Sequence, residues 1–129
     1  GILITFDSGL LFKHDSFGLE RATKDNLSQL SKTLNKYDDT NILIEGHTDS
    51  TGEDAYNLSL SQKRAREVQG FLVSQRVSNG RINTHGYGEQ QPLGDNATDV
   101  GRQSNRRVEV AIYANKEMKR LAKKGELGV

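Results

Sequence analysis

Asn41-Ile42-Leu43-Ile44-Glu45-Gly46-His47 runs without a break into Thr48-Asp49-Ser50-Thr51-Gly52, and this stretch decides the fold. In an extended chain successive side chains alternate, so Ile42 and Ile44 share one face while Leu43, Glu45 and His47 share the other. The apolar composition places this strand centrally. The five residues from Thr48 to Gly52 are dense in side-chain oxygens, which suits a loop whose side chains hydrogen-bond local backbone. A helical pattern follows, with Leu58, Ala65, Val68, Phe71 and Leu72 as its expected buried stripe. The oxygen-rich loop therefore joins a strand end to a helix start.

Working outward, Ala22, Leu27, Leu30 and Leu34 fall at helical spacing from Arg21 to about Tyr37-Asp38-Asp39, predicting a first helix. Before it, Ile2-Leu3-Ile4-Thr5-Phe6, the turn-like Asp7-Ser8-Gly9 and Leu10-Leu11-Phe12 predict a short N-terminal hairpin. Arg81 to His85 is a further strand, and Gly86 through Gly101 reads as a long connection too rich in Gly, Asn and Asp for the core. Arg107-Val108-Glu109-Val110-Ala111-Ile112-Tyr113 alternates with period two and predicts the last strand. Lys116 to Lys124 reads as a basic helix or tail. The order implies an α+β domain, a βαβαββ-type sandwich with a mixed sheet and helices packed on one face, preceded by the hairpin. The other face is left for the tail or solvent.

With 129 residues, 33% hydrophobic and 27% charged, the chain suits one compact domain, with residues 1–115 folded and 116–129 as the basic extension. Eighteen basic against seventeen acidic residues exclude a general electrostatic grip on nucleic acid, so a ligand must be recognised locally. The absence of Cys removes disulfides, thiolate metal sites and Cys nucleophiles. No apolar run reaches the roughly 20 residues that span a bilayer. Contact with a membrane is expected only through an anchor outside this chain.

Several constellations compete for a function. Glu45, His47 and Asp49 at two-residue spacing resemble part of a two-His-one-carboxylate metal site, with His85 as the third ligand, but a His beside carboxylates is more commonly a hydrogen-bonded pair. No metal or cofactor is expected. Ser, His and Asp occur together, yet no Gly-x-Ser-x-Gly elbow exposes a nucleophile, so the chain reads as no enzyme. Gly86-Tyr87-Gly88 lacks the third glycine and following helix of a dinucleotide site. Asp49, in the loop, and Arg64, inside the following helix, can face each other across a small pocket or form an ordinary surface ion pair.

The run Gly46-His47-Thr48-Asp49-Ser50-Thr51-Gly52, with Asn57, Leu60-Ser61, Arg64-Ala65 and Val68, resembles the OmpA-like domain of Gram-negative envelope proteins. Gly86-Tyr87-Gly88-Glu89, Pro92, Asn96, Thr98, Gly101-Arg102 and Asn105-Arg106-Arg107-Val108-Glu109 are similar to that family's later motifs, in order. The likeness covers about residues 10–113. It implies non-covalent binding of peptidoglycan through the diaminopimelate of its stem peptide, in the periplasm and attached to the outer membrane. The alternative is an interaction domain that keeps the fold and binds a protein or another glycan.

The distal centre of an uncrosslinked diaminopimelate carries an ammonium and a carboxylate, so a receptor needs one fixed anion and one fixed cation. Asp49 and Arg64 match the family's positions for those roles, and Arg presents a planar fork that suits a carboxylate. The resemblance also implies Asp15 as a ligand contact, Thr48 and Thr51 as loop donors, Leu60 as the pocket floor, and Asn105 and Arg106 as braces from the last loop. One departure stands out. Where relatives place Gly after the second long helix, this chain has Ser74-Gln75-Arg76-Val77, so that helix is expected to end without a left-handed cap.

Overall fold

The structure is a computed structural model that describes residues 1–12, 16 and 18–114. Asp15 and the basic extension from Lys116 lie outside the described residues. Strand β1 (Ile2–Asp7) is followed by one helical turn, α1 (Ser8–Leu11), and then by the long helix α2 (Arg21–Lys36). Strand β2 (Thr40–His47), helix α3 (Asp54–Ser74), strand β3 (Ile82–Gly88), helix α4 (Asp99–Asn105) and strand β4 (Arg107–Ala114) complete the order.

The four strands form one mixed sheet in the order β1-β4-β2-β3. Strand β4 is antiparallel to both β1 and β2, whereas β2 and β3 run parallel because α3 forms the crossover between them. The alternation read from the sequence sets the two faces. Ile42 and Ile44 lie beside Ile112 and Val110 of β4, and these side chains meet Leu27 and Leu34 of α2 and Ala65, Val68 and Leu72 of α3 in one core. Both long helices thus cover one face of an α+β sandwich. Glu45, His47, Arg107 and Glu109 have the opposite parity and point away from the helices, to a side where His47 and Arg107 are nevertheless buried.

Four features depart from the sequence reading. The N-terminal hairpin is absent: β1 pairs along its whole length with β4, from Ile2 beside Ile112 to Asp7 beside Arg107. Asp7 starts a helical turn instead of a hairpin turn, its carboxylate accepting the Gly9 N–H at 2.7 Å, and Leu11 and Phe12 are carried into the core. The stretch Gly86 to Gly101 is only partly a connection. It opens with the end of β3 and closes with α4, which Thr98 caps by accepting the Gly101 N–H. Two members of the expected apolar stripes, Ala22 and Leu58, are exposed, and polar Thr23, Ser31, Asn57 and Ser61 occupy buried helix positions.

The end of α3 is the fourth departure. Arg76 adopts φ +72°, and the Val77 N–H bonds to Leu72 O while the Arg76 N–H bonds to Val73 O. This is a left-handed Schellman cap built on a non-glycine residue, held by burial of Val77 against Leu72. A side chain in that region is strained by roughly 1–2 kcal/mol. Arg76→Gly should therefore raise stability by up to about 1 kcal/mol, after the extra freedom that glycine gives the unfolded chain, with a melting point several degrees higher. A lower melting point would show that the Arg76 side chain contributes more than its backbone costs.

Candidate ligand-binding site

The site sits where β2 leaves the sheet. The Thr48 N–H still bonds to Gly88 O at 2.8 Å, extending the β2–β3 pairing by one residue, and the chain then turns sharply. Asp49 makes that turn: its Oδ1 accepts the Thr51 N–H at 2.8 Å, and the Thr48 hydroxyl donates to Asp49 O at 2.8 Å. Asn57, buried on the first turn of α3, clamps the loop by donating to Thr51 O at 3.0 Å and to Glu89 Oε1 at 3.3 Å.

A cavity of about 600 Å³ opens beside this loop, lined by Thr48, Asp49, Thr51, Gly52, Tyr56, Asn57, Leu60, Arg64 and Arg106. Tyr56, Leu60 and Arg64 are spaced four apart, so helical geometry alone puts them on one stripe of α3. Arg64 is buried at the inner end of that stripe. Its Nε donates to Ser16 O at 2.8 Å and its guanidinium lies 5.0 Å from the centre of the Phe12 ring, so hydrogen bonding and cation–π contact together fix its plane.

The Asp49 carboxylate is also buried, and its ion pair is with Arg106, whose Nη1 lies 2.6 Å from Oδ2. Burial pushes the Asp49 carboxyl up, but the Thr51 N–H and the Arg106 guanidinium outweigh it and hold the group below the usual carboxylate range. It is an anion at neutral pH. Two guanidinium groups and one carboxylate therefore line a single cavity.

Of the residues expected at the site, Asp49, Arg64, Thr48, Thr51, Leu60 and Arg106 are brought together. Asn105 is not among the lining. It is fully buried behind the cavity, where its Oδ1 accepts the N–H groups of Leu93 and Gly94 and its Nδ2 donates to Gly94 O and Asn96 Oδ1. It shapes the connection that holds Asn96 against the Ser50 N–H. Tyr56 and Asn57 join the lining without having been singled out for it, although their spacing from Leu60 and Arg64 carried the signal. The Glu45, His47, Asp49 triplet is split. Asp49 turns into the cavity, while Glu45 and His47 stay on the sheet face opposite the helices with Glu109.

The fold and this cavity define a class, small α+β domains with a charged ligand cavity where a sheet strand turns into a helix. A model of the OmpA family matches residues 11–106, and the chain belongs to that family. It is 43% identical over 109 residues to outer membrane porin F of Pseudomonas fluorescens, covering 84% of this chain and 31% of the porin. It is 36% identical to the peptidoglycan-binding protein ArfA of Mycobacterium tuberculosis over 103 residues, which are 80% of this chain and 32% of that protein. The chain thus spans about a third of these curated relatives. The solved cell wall anchor of the T6SS from Pseudomonas aeruginosa superposes with a TM-score of 0.79 at 30% identity, over 87% of this chain and 80% of that one. Among the described residues no helix is long and apolar enough to cross a membrane.

Proposed function

We propose that this domain holds peptidoglycan non-covalently by the diaminopimelate of the stem peptide and so tethers the outer membrane to the cell wall from the periplasm. The observation that carries the reading is that a buried anion, Asp49, and a buried cation, Arg64, both line one cavity. The relative named for peptidoglycan binding and the solved cell wall anchor support it. Asp49 receives the distal ammonium: a carboxylate has about four acceptor positions, and Thr51 and Arg106 account for two of them. Arg64 receives the distal carboxylate with its guanidinium, whose Nε is anchored on Ser16 O. Arg106 adds a second positive charge to the lining and keeps Asp49 aligned. The attachment to the outer membrane is through an anchor outside these residues.

The test is competition. The chain is bound to isolated sacculi and challenged with stem peptides that differ only in the third residue. A diaminopimelate peptide should release the protein, with the peptidoglycan unchanged in mass. A lysine peptide, which keeps the distal ammonium and lacks the carboxylate beside it, should not. Equal release by both peptides, or by neither, would replace this reading with the interaction domain for a protein or another glycan.

A further inference from the structure

On the sheet face opposite the helices, Glu45 of β2 and Glu109 of β4 are direct cross-strand partners. Two carboxylates so placed repel each other unless something positive lies between them. Arg107 answers only part of this, because its Nε holds Glu109 Oε1 at 2.8 Å and leaves Oε2 turned elsewhere. What Oε2 meets is His47. The imidazole Nε2 lies 3.5 Å from Glu45 Oε1 and 3.9 Å from Glu109 Oε2.

His47 is 2% exposed, and neither ring nitrogen hydrogen-bonds to any described protein atom. A buried polar group in that condition is costly and calls for an explanation. The ring is not loosely placed. It stacks on Tyr87 with centroids 5.2 Å apart and planes within 11°, which fixes the direction of Nε2.

We propose that Glu45, His47 and Glu109 bind a divalent transition cation, zinc above all, at a site separate from the cavity that holds Asp49 and Arg64. The three donor atoms lie within 4.8 Å of one another, close enough for one ion to draw them together. One imidazole nitrogen and two carboxylate oxygens suit zinc and its neighbours, whereas calcium and magnesium take oxygen donors. The ion satisfies the orphan Nε2 and the repulsion between Glu45 and Glu109 in one step. Both glutamates remain partly exposed, at 19% and 16%, so the ion has an entry path from solvent and a water can complete the coordination.

The experiment uses the full chain, stripped with a chelator and titrated with zinc chloride at neutral pH. One equivalent should bind and raise the melting temperature. Cobalt(II) in its place should give a visible absorption band that zinc displaces, and the His47 Nε2 resonance should shift on metal addition. Glu45→Gln keeps the shape of the side chain and should melt like the parent without metal. Its zinc affinity should fall at least as far as the about 10–100-fold typical of losing a partner that only supports a ligand. No uptake with zinc in large excess would overturn the proposal and leave Glu45, His47 and Glu109 as a contact cluster that holds no ion. Uptake unaltered by Glu45→Gln, or without a shift at His47, would place the metal elsewhere and overturn it equally.

Discussion

Asp49→Asn should weaken the affinity for a diaminopimelate-containing stem peptide by about ten- to a hundredfold while leaving the domain folded. Asn keeps an oxygen for the Thr51 N–H that shapes the loop, so the turn survives and only the charge is removed. The Arg106 side chain is 42% exposed, and an ion pair to so exposed a partner is worth under about 1 kcal/mol. The melting temperature should therefore shift by only a few degrees. Binding is different, because the ligand's ammonium is left in a partly dry cavity without its counter-charge. A charged hydrogen bond contributes about 1.5–3 kcal/mol, and each 1.4 kcal/mol is tenfold in affinity.

Arg64→Lys should produce a loss of similar size by another route. The ammonium preserves the positive charge but cannot hold Ser16 O and present two parallel N–H groups to a carboxylate at once. Calorimetric titration of the stem peptide into the parent and the two variants, with melting followed in parallel, decides the matter. Unchanged affinity in either well-folded variant would retire Asp49 and Arg64 as the ligand-binding pair.

How far such a site can be read from sequence depends on the range of the interactions that build it. Strands β2 and β4 and helices α2 and α3 were legible because each declares itself within one window, by period two or by helical spacing. Strand β1 was legible as a strand and illegible as an edge strand on β4. Its partner lies about a hundred residues away, and the local turn chemistry of Asp7-Ser8-Gly9 fits a hairpin as well as it fits the start of a helical turn. Helix α4 carries no apolar stripe, its one large apolar residue, Val100, being exposed, so no periodicity marked it.

The cavity divides in the same way. Asp49 and Arg64 are separated by a loop and less than three helical turns, and their convergence follows from the strand–loop–helix reading. The pairing of Asp49 with Arg106 spans 57 residues. The place of Asn105 behind the lining, bonded to Leu93, Gly94 and Asn96, depends on the path of a connection that no periodicity describes. The resemblance to a family named these residues. Only the packing distinguished a lining side chain from a bracing one.

Gly46→Ala should be a severely damaging single-methyl change, lowering stability by about 2–3 kcal/mol, or roughly 10–20 °C in melting temperature. A Cβ added at Gly46 would stand 2.2 Å from Ser61 O and 2.9 Å from Ser61 C. Those atoms are backbone of α3, so no rotamer change relieves the clash and the helix must move off the sheet. Leu60 and Arg64 ride on the same helix, one residue before Ser61 and three after it, so the movement widens the cavity as well. The stem-peptide affinity of whatever fraction remains folded should fall with it. A comparison within α3 isolates the cause: a Cβ at Gly70 meets nothing within 4 Å, and Gly70→Ala should stabilise the helix by roughly 0.5–1 kcal/mol. Thermal melts of the two variants beside the parent should thus move in opposite directions. A Gly46→Ala protein that melts with the parent would show that α3 sits farther from β2 than the structure places it.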